Sequence, residues 1–269
     1  MQFSYLNNYS FLTIIIHFIG IASLSARIVG TRTKKVAFST SLFNIIILIS
    51  QFSNTIQAPL LAKSIEKNIV AGNPPNNSIF RLIIFSATIG SILGLLAIPT
   101  IHRFMKKGVD ALYLHRSIFT VFIKSLRFST ITHFKESLTI PSIHNISNLK
   151  NYRDIPMGLI FLNVFVYSFI TVSVLSCLYA GYLNPNLRST ALAMNGFSIG
   201  LGSIGMMLFV EPYNATLTDK VIDGTTTESY FRRCLTFVVI ARIFGTILGQ
   251  FLLVPMAWLI IRLSEWLYV

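Results

Sequence analysis

Apolar side chains along this chain gather into runs too long for the core of a water-soluble protein. A bilayer core about 30 Å thick takes about 20 mostly apolar residues as a helix, and six stretches qualify: 5–29, 36–61, 81–101, 156–183, 189–209 and 234–261. Asn73-Pro74-Pro75-Asn76 separates the second from the third, and Asn184-Pro185-Asn186 the fourth from the fifth. Both have the composition of helix-ending turns. A long segment, 102–155, carries nine Lys/Arg and lies between the third and fourth stretches. The pattern predicts an all-α polytopic membrane protein in three parts: three helices over 1–101, a basic cytoplasmic or interfacial segment over 102–155, and three helices over 156–269.

Within the middle segment, 109–128 is apolar enough to suggest a seventh span. Arg116, Thr120, Lys124 and Arg127 recur there at helical spacing and would form a mainly cationic stripe. That stripe fits a basic amphipathic helix lying in the cytoplasmic interface better than a helix crossing lipid.

Composition supports the membrane reading and then gives it a direction. Apolar residues make up 53% of the chain and charged residues only 12%, about half the share in an ordinary soluble domain. The 22 Lys/Arg against 9 Asp/Glu give a formal charge of +13, which in a soluble protein would suggest nucleic acid. Here it reports topology, because basic residues concentrate in the cytoplasmic loops of membrane proteins. Loops on one side hold 16 basic and 7 acidic residues and loops on the other 5 and 2, with Arg242 alone inside a span. The basic side is expected to be cytoplasmic and both termini to face outward, with no nucleic-acid partner. The first 26 residues carry no charge, so the first stretch lacks the basic start of a secretory signal and reads as a retained span. Cys177 and Cys234 suit neither a disulfide framework nor a zinc cage.

The two ends of the chain resemble each other. Residues 9–14, Tyr-Ser-Phe-Leu-Thr-Ile, match 167–172, Tyr-Ser-Phe-Ile-Thr-Val, and 90–94, Gly-Ser-Ile-Leu-Gly, match 245–249, Gly-Thr-Ile-Leu-Gly. Pro99 and Pro255 follow at nearly the same spacing. Short apolar strings recur by chance, but two matches in the same order at similar offsets favour duplication. With three spans per unit, the second unit enters the bilayer upside down relative to the first. Such inverted repeats belong to transporters that open alternately to two sides.

Polar groups inside hydrocarbon are costly, so each one needs a reason. The second span is the richest, with Asn44, Gln51 and Asn54 on one face. Interhelical hydrogen bonding accounts for a few such residues; the number present favours a hydrated cavity. Arg242 lies about a third of the way along the sixth span, too deep to reach water easily. It is either a fixed cation facing that cavity or half of an ion pair, with Glu211 the candidate partner. His17, in mid-span, is either a proton or ion carrier, with Glu211 as a second coupling group, or a neutral side chain bonded to a neighbouring helix. Arg27 stands at the cytoplasmic end of the first span. Gly196, Gly200, Gly202 and Gly205 in the fifth span, like the glycine pairs in the third and sixth, read as close helix packing. No motif for hydrolysis, nucleotide binding, a cofactor or a metal is present, so the chain reads as a non-enzyme.

Taken whole, and in runs such as 25–33, Ser-Ala-Arg-Ile-Val-Gly-Thr-Arg-Thr, and 187–195, Leu-Arg-Ser-Thr-Ala-Leu-Ala-Met-Asn, the chain resembles the Amj family, the alternative lipid II flippases of Firmicutes. The resemblance extends over the full length and transfers no individual residue. It implies a protein of the bacterial cytoplasmic membrane that moves lipid II, the undecaprenyl-pyrophosphate-linked peptidoglycan precursor, from the inner to the outer leaflet, with membrane lipids around it. Arg242, Asn44, Gln51, Asn54 and Arg27 are then candidate substrate contacts. A transporter of another polyprenyl lipid or a small solute, and a non-transporting scaffold of wall synthesis, remain the competing readings.

Overall fold

A computed structural model describes residues 2–125, 128–141 and 153–267. Helices account for nearly all of them, and no strand occurs among the described residues. In order they are α1 (Gln2–Ala22), α2 (Ser25–Thr33), α3 (Val36–Val70), α4 (Ser78–His115), α5 (Ile118–Ser125), α6 (Phe128–Ser137), α7 (Met157–Leu183), α8 (Arg188–Ala193), α9 (Asn195–Gly205), α10 (Glu211–Ile222) and α11 (Glu228–Trp266). Six helical units are long and apolar enough to cross a membrane, and they coincide with the six stretches expected from sequence. The first consists of α1 and α2, and the fifth of α8, α9 and α10.

Each composite span has a local cause. Between α1 and α2 the helix is interrupted at Ser23 and Leu24, where the Ser23 hydroxyl donates to the Gly20 carbonyl at 2.8 Å. Between α9 and α10 the chain widens into one π turn, Met206–Val210, in which the Glu211 N–H reaches back to the Met206 carbonyl. Pro212 follows immediately and has no N–H to give the preceding turn, so the extra residue absorbs a break that proline would otherwise force. The turn also rotates α10 relative to α9, which decides where Glu211 points.

The middle segment corrects one expectation. Residues 109–115 belong to α4, which overruns the third span; Arg116 then takes a left-handed conformation (φ 49°), and α5 begins at Ile118. A single helix over 109–128 is therefore not formed, because the helix breaks at Arg116, the first residue of the cationic stripe. Residues 126 and 127 lie outside the described part. Beyond α5, α6 is tied back to α4 by Lys107, which donates to Glu136 at 2.8 Å. That bond, with one from His133, holds the exposed Glu136 carboxyl below the usual carboxylate range.

Packing is organised by two long pairs. α1 lies along α4, α7 lies along α11, and α4 and α11 meet between them. Glycine sets the closeness of both pairs. A methyl group at Gly90 would stand 2.9 Å from the Ile14 Cα, and one at Gly245 would stand 2.7 Å from the Tyr167 Cβ and 2.8 Å from the Val164 carbonyl. In the fifth span only Gly202 and Gly205 do the same, against Ile170 and Val166 of α7. Gly196 and Gly200 have nothing within 4 Å, so the expectation that they mediate close packing is not met.

α3 stands apart. Along its 35 residues only Ser39, Ser50, Gln57, Leu61 and Ile65 are buried. Two of these bind α1: Gln57 donates to Thr13 Oγ1 at 2.5 Å and the Tyr9 carbonyl at 3.1 Å, and Ser50 donates to the Ile16 carbonyl at 2.9 Å. Part of the polar face of α3 thus fastens it to α1, and the remainder lies open beside a cavity.

A candidate substrate cavity between the first and last three spans

The cavity lies where α1, α3, α4, α7 and α11 converge. Its volume of about 210 Å³ would hold about seven waters at ~30 Å³ each. Gln51 and Asn54 on α3 line it and are themselves exposed, so it opens sideways through the loosely packed seam between α3 and α7 rather than only along the membrane normal. In a bilayer that seam faces lipid. A mainly apolar cavity carrying a minority of polar groups, with a lateral mouth, suits a molecule that is itself half polar and half lipid.

Arg242 is the charged part of the wall. It is 4% exposed, and its guanidinium lies over the Tyr167 ring at 4.2 Å from the centroid. Nη1 points to the Gly20 carbonyl at 3.4 Å, and Nε has no partner. The break after Ala22 explains the choice of carbonyl. The Leu24 N–H, which would continue the helix onto Gly20, goes to the Ile21 carbonyl instead, so the Gly20 carbonyl, shared with the Ser23 hydroxyl, faces the cation at the negative end of the helix dipole. Ring and carbonyl compensate the guanidinium partly. No carboxylate forms a salt bridge with it among the described residues, although burying a cation in lipid normally requires an ion pair.

Glu211 does not fill that role. It pairs with Arg27, whose guanidinium also lies 4.7 Å from the centre of the Phe43 ring. The alternative reading of Arg242 as the ion-pair partner of Glu211 is thereby corrected: the π turn before Glu211 aims its carboxylate at α2, toward the predicted cytoplasmic end. Nearby, Arg32 binds Glu228 at 2.5 Å and His102 at 2.7 Å, adding a second link between α2 and the last three spans. At the other end of the molecule, Glu66 of α3 pairs with Arg188 of α8. Ion pairs therefore bridge the first and last three spans both above and below the cavity.

The remaining candidates divide. His17 lines the cavity on the same side as Gly20. Asn44 shares the helical face of Gln51 and Asn54 but is exposed and does not line the cavity, lying just under a turn beyond Ile47, the nearest lining residue of α3. Several polar contributors were not singled out from sequence as site residues: Thr13, Ser50, Gln57, Ser91, Tyr167, Thr171 and Thr246. Of these Tyr167 carried a signal, because it heads one of the repeated runs. Ala87, which precedes Arg242 by the same 155 residues that separate Gly90 from Gly245, also lines the cavity.

Comparisons with known proteins agree on one family. The family model described as "Amj: Alternate to MurJ" matches residues 12–264. A curated relative, the lipid II flippase Amj of Bacillus subtilis (strain 168), is 32% identical over 259 residues, covering 94% of each chain. No solved structure matches.

Proposed function

The chain belongs to the Amj family, and on that premise we propose that it is a lipid II flippase of the bacterial cytoplasmic membrane, working by alternating access and not by catalysis. The observation that carries the reading is Arg242: a buried guanidinium without a carboxylate, in a cavity with a lateral mouth. Such a cation is a site for an anion that arrives and leaves. Lipid II supplies one in its pyrophosphate, and guanidinium binds phosphate oxygens through directed, charge-assisted hydrogen bonds. The polyprenyl tail stays in lipid at the α3–α7 seam while the head crosses beside Gln51 and Asn54.

The cavity volume bears on the mechanism. About 210 Å³ accommodates an anionic group but not a disaccharide carrying a pentapeptide. The head can pass only when the first and last three spans separate. Internal repetition supports such a motion: α1 with α4 and α7 with α11 form corresponding pairs, each closed by a glycine near the middle of the third or sixth span. Arg27–Glu211 and Arg32–Glu228 then act as the cytoplasmic gate, and Glu66–Arg188 as the outer one. With both closed, the conformation is occluded. The termini face outward, following the excess of basic residues in the opposite loops.

The small volume favours a second reading, transport of a small solute. It predicts a path with no need of the lateral mouth. The test is Arg242→Ala in cells that depend on this protein alone for lipid II transport. Precursor at the outer surface should fall at least tenfold (about 1.4 kcal/mol of lost anion stabilisation), and Arg242→Lys should restore part of it. Undiminished transport in Arg242→Ala would remove Arg242 from the mechanism.

A further inference from the structure

A second cavity, about 540 Å³, lies beyond the first on the same three helices. Its volume falls in the ~300–1,000 Å³ range of small-molecule sites. Along α3, Leu61 lines the central cavity and Asn68 the second; along α4 the corresponding residues are Ile83 and Ile79; along α7, Leu175 and Tyr182. The two linings stand four to seven residues apart along these helices, about 6–10 Å at ~1.5 Å per residue, and the layer between them consists of Ile65, Phe80, Leu178 and Tyr179, all buried in one apolar cluster. Phe80 and Tyr179 meet there at 5.2 Å between ring centroids. A single apolar layer is thus all that separates the central cavity from the loop between α3 and α4.

The chemistry of the second cavity differs from that of the first. Four asparagines, Asn68, Asn73, Asn76 and Asn77, line it together with Tyr179 and Tyr182, and no charged side chain does. Each carboxamide offers two donors and an acceptor. Asn73 donates to Asn68 at 3.3 Å, and Asn76 Oδ1 accepts from the Ser78 N–H at 2.7 Å. Asn77 stands at the start of α4 without making a capping bond. The Tyr182 hydroxyl donates to the Pro74 carbonyl at 3.1 Å and holds the loop over the cavity. Neutral amides beside aromatic rings match hydroxyl- and amide-bearing saccharides and bring no positive charge to an anion.

We propose that this loop cavity is an outer-face site for the uncharged saccharide part of the headgroup, occupied once the Phe80–Tyr179 layer has parted. The proposal rests on the flippase reading for its substrate and on the outward placement of the α3–α4 loop. It divides the labour: Arg242 holds the anion in the middle of the membrane, and the asparagines receive the sugar outside.

Hydrogen exchange on the full-length protein in detergent tests it without a variant. The probe is the water-soluble disaccharide-pentapeptide freed of its lipid pyrophosphate, with inorganic pyrophosphate as the comparison. The saccharide should slow exchange of backbone amides in the stretch 68–79, and pyrophosphate should not. Equal exchange with and without the saccharide overturns the proposal, as does protection by pyrophosphate alone. In a second arm, Asn73→Ala/Asn76→Ala/Asn77→Ala, all on an exposed loop, should weaken saccharide binding at least tenfold through about three lost hydrogen bonds. Unchanged affinity counts against the site. Neither arm depends on flipping, so a wild-type protein that binds the saccharide but moves no lipid II in vesicles would defeat the substrate reading and leave the site standing.

Discussion

Replacing Gly90 by alanine should move α1, and with it the cavity wall. The added methyl group would meet the backbone of Ile14, 2.9 Å from its Cα, and backbone cannot swing aside as a side-chain tip can. The Ile14 carbonyl oxygen would be closer still; apolar carbon and carbonyl groups rest at about 3.3–3.6 Å at the closest, so α1 must retreat by about an ångström. His17 and Gly20 lie within two turns of Ile14 on the same helix, and Gly20 supplies the carbonyl that faces Arg242. Gly196→Ala is the matched control, because nothing lies within 4 Å of that position. Both changes gain the same helix propensity, about 1 kcal/mol, so it cancels in the comparison. What remains is the overpacking cost at Gly90, about 1–3 kcal/mol. Unfolding both variants in graded denaturing detergent should therefore place Gly90→Ala below Gly196→Ala by that amount, and Gly90→Ala should also flip more slowly. Equal stability would refute the close approach of α1 to α4. Lower stability with wild-type flipping would refute the claim that the position of α1 sets the cavity.

Other expectations follow from the same geometry. Glu211→Gln leaves Arg27 without its carboxylate; the pair is partly exposed, at 15% and 35%, so the loss is about 1–2 kcal/mol, between surface and buried cases. Cysteine accessibility in membranes should then rise on the cytoplasmic side of the cavity, and unchanged labelling would argue against a gate. Gln51→Leu/Asn54→Leu should lower transport at least tenfold with little change in stability, about 1.4 kcal/mol in transition-state terms, whereas Asn44→Leu, outside the lining, should do neither; a scaffold would tolerate all three. Gln57→Leu should destabilise the protein by about 1–2 kcal/mol in an unfolding titration, because it removes the bonds to Thr13 and Tyr9. A reporter enzyme active only outside the cytoplasm, fused after Val269, should be active; inactivity would reverse the assigned orientation.

The spans were legible because a bilayer demands long apolar runs and the turns between them are marked by asparagine and proline. Arg242 was legible for a related reason, as a charge without access to water. Its surroundings were not. That Glu211 serves Arg27 depends on a π turn that shifts the register of α10 by one residue, and periodicity assumes that register constant. The polar face of α3 was read as one stripe, but its parts do different work: Ser50 and Gln57 are consumed by carbonyls of α1, Gln51 and Asn54 stay free at the cavity, and Asn44 falls below it. A face gives direction around a helix axis and not depth along it. For the same reason spacing could not separate Gly202 and Gly205, which touch α7, from Gly196 and Gly200, which touch nothing.

Complementation tests the central claim most directly. The protein is expressed in bacteria depleted of their own lipid II flippase, and precursor accessible at the outer surface is measured alongside the amount of protein in the membrane. The account predicts that surface-accessible lipid II and growth return with the wild-type chain and not with Arg242→Ala at equal abundance. Wild-type protein present in the membrane with no lipid II at the outer surface would contradict it.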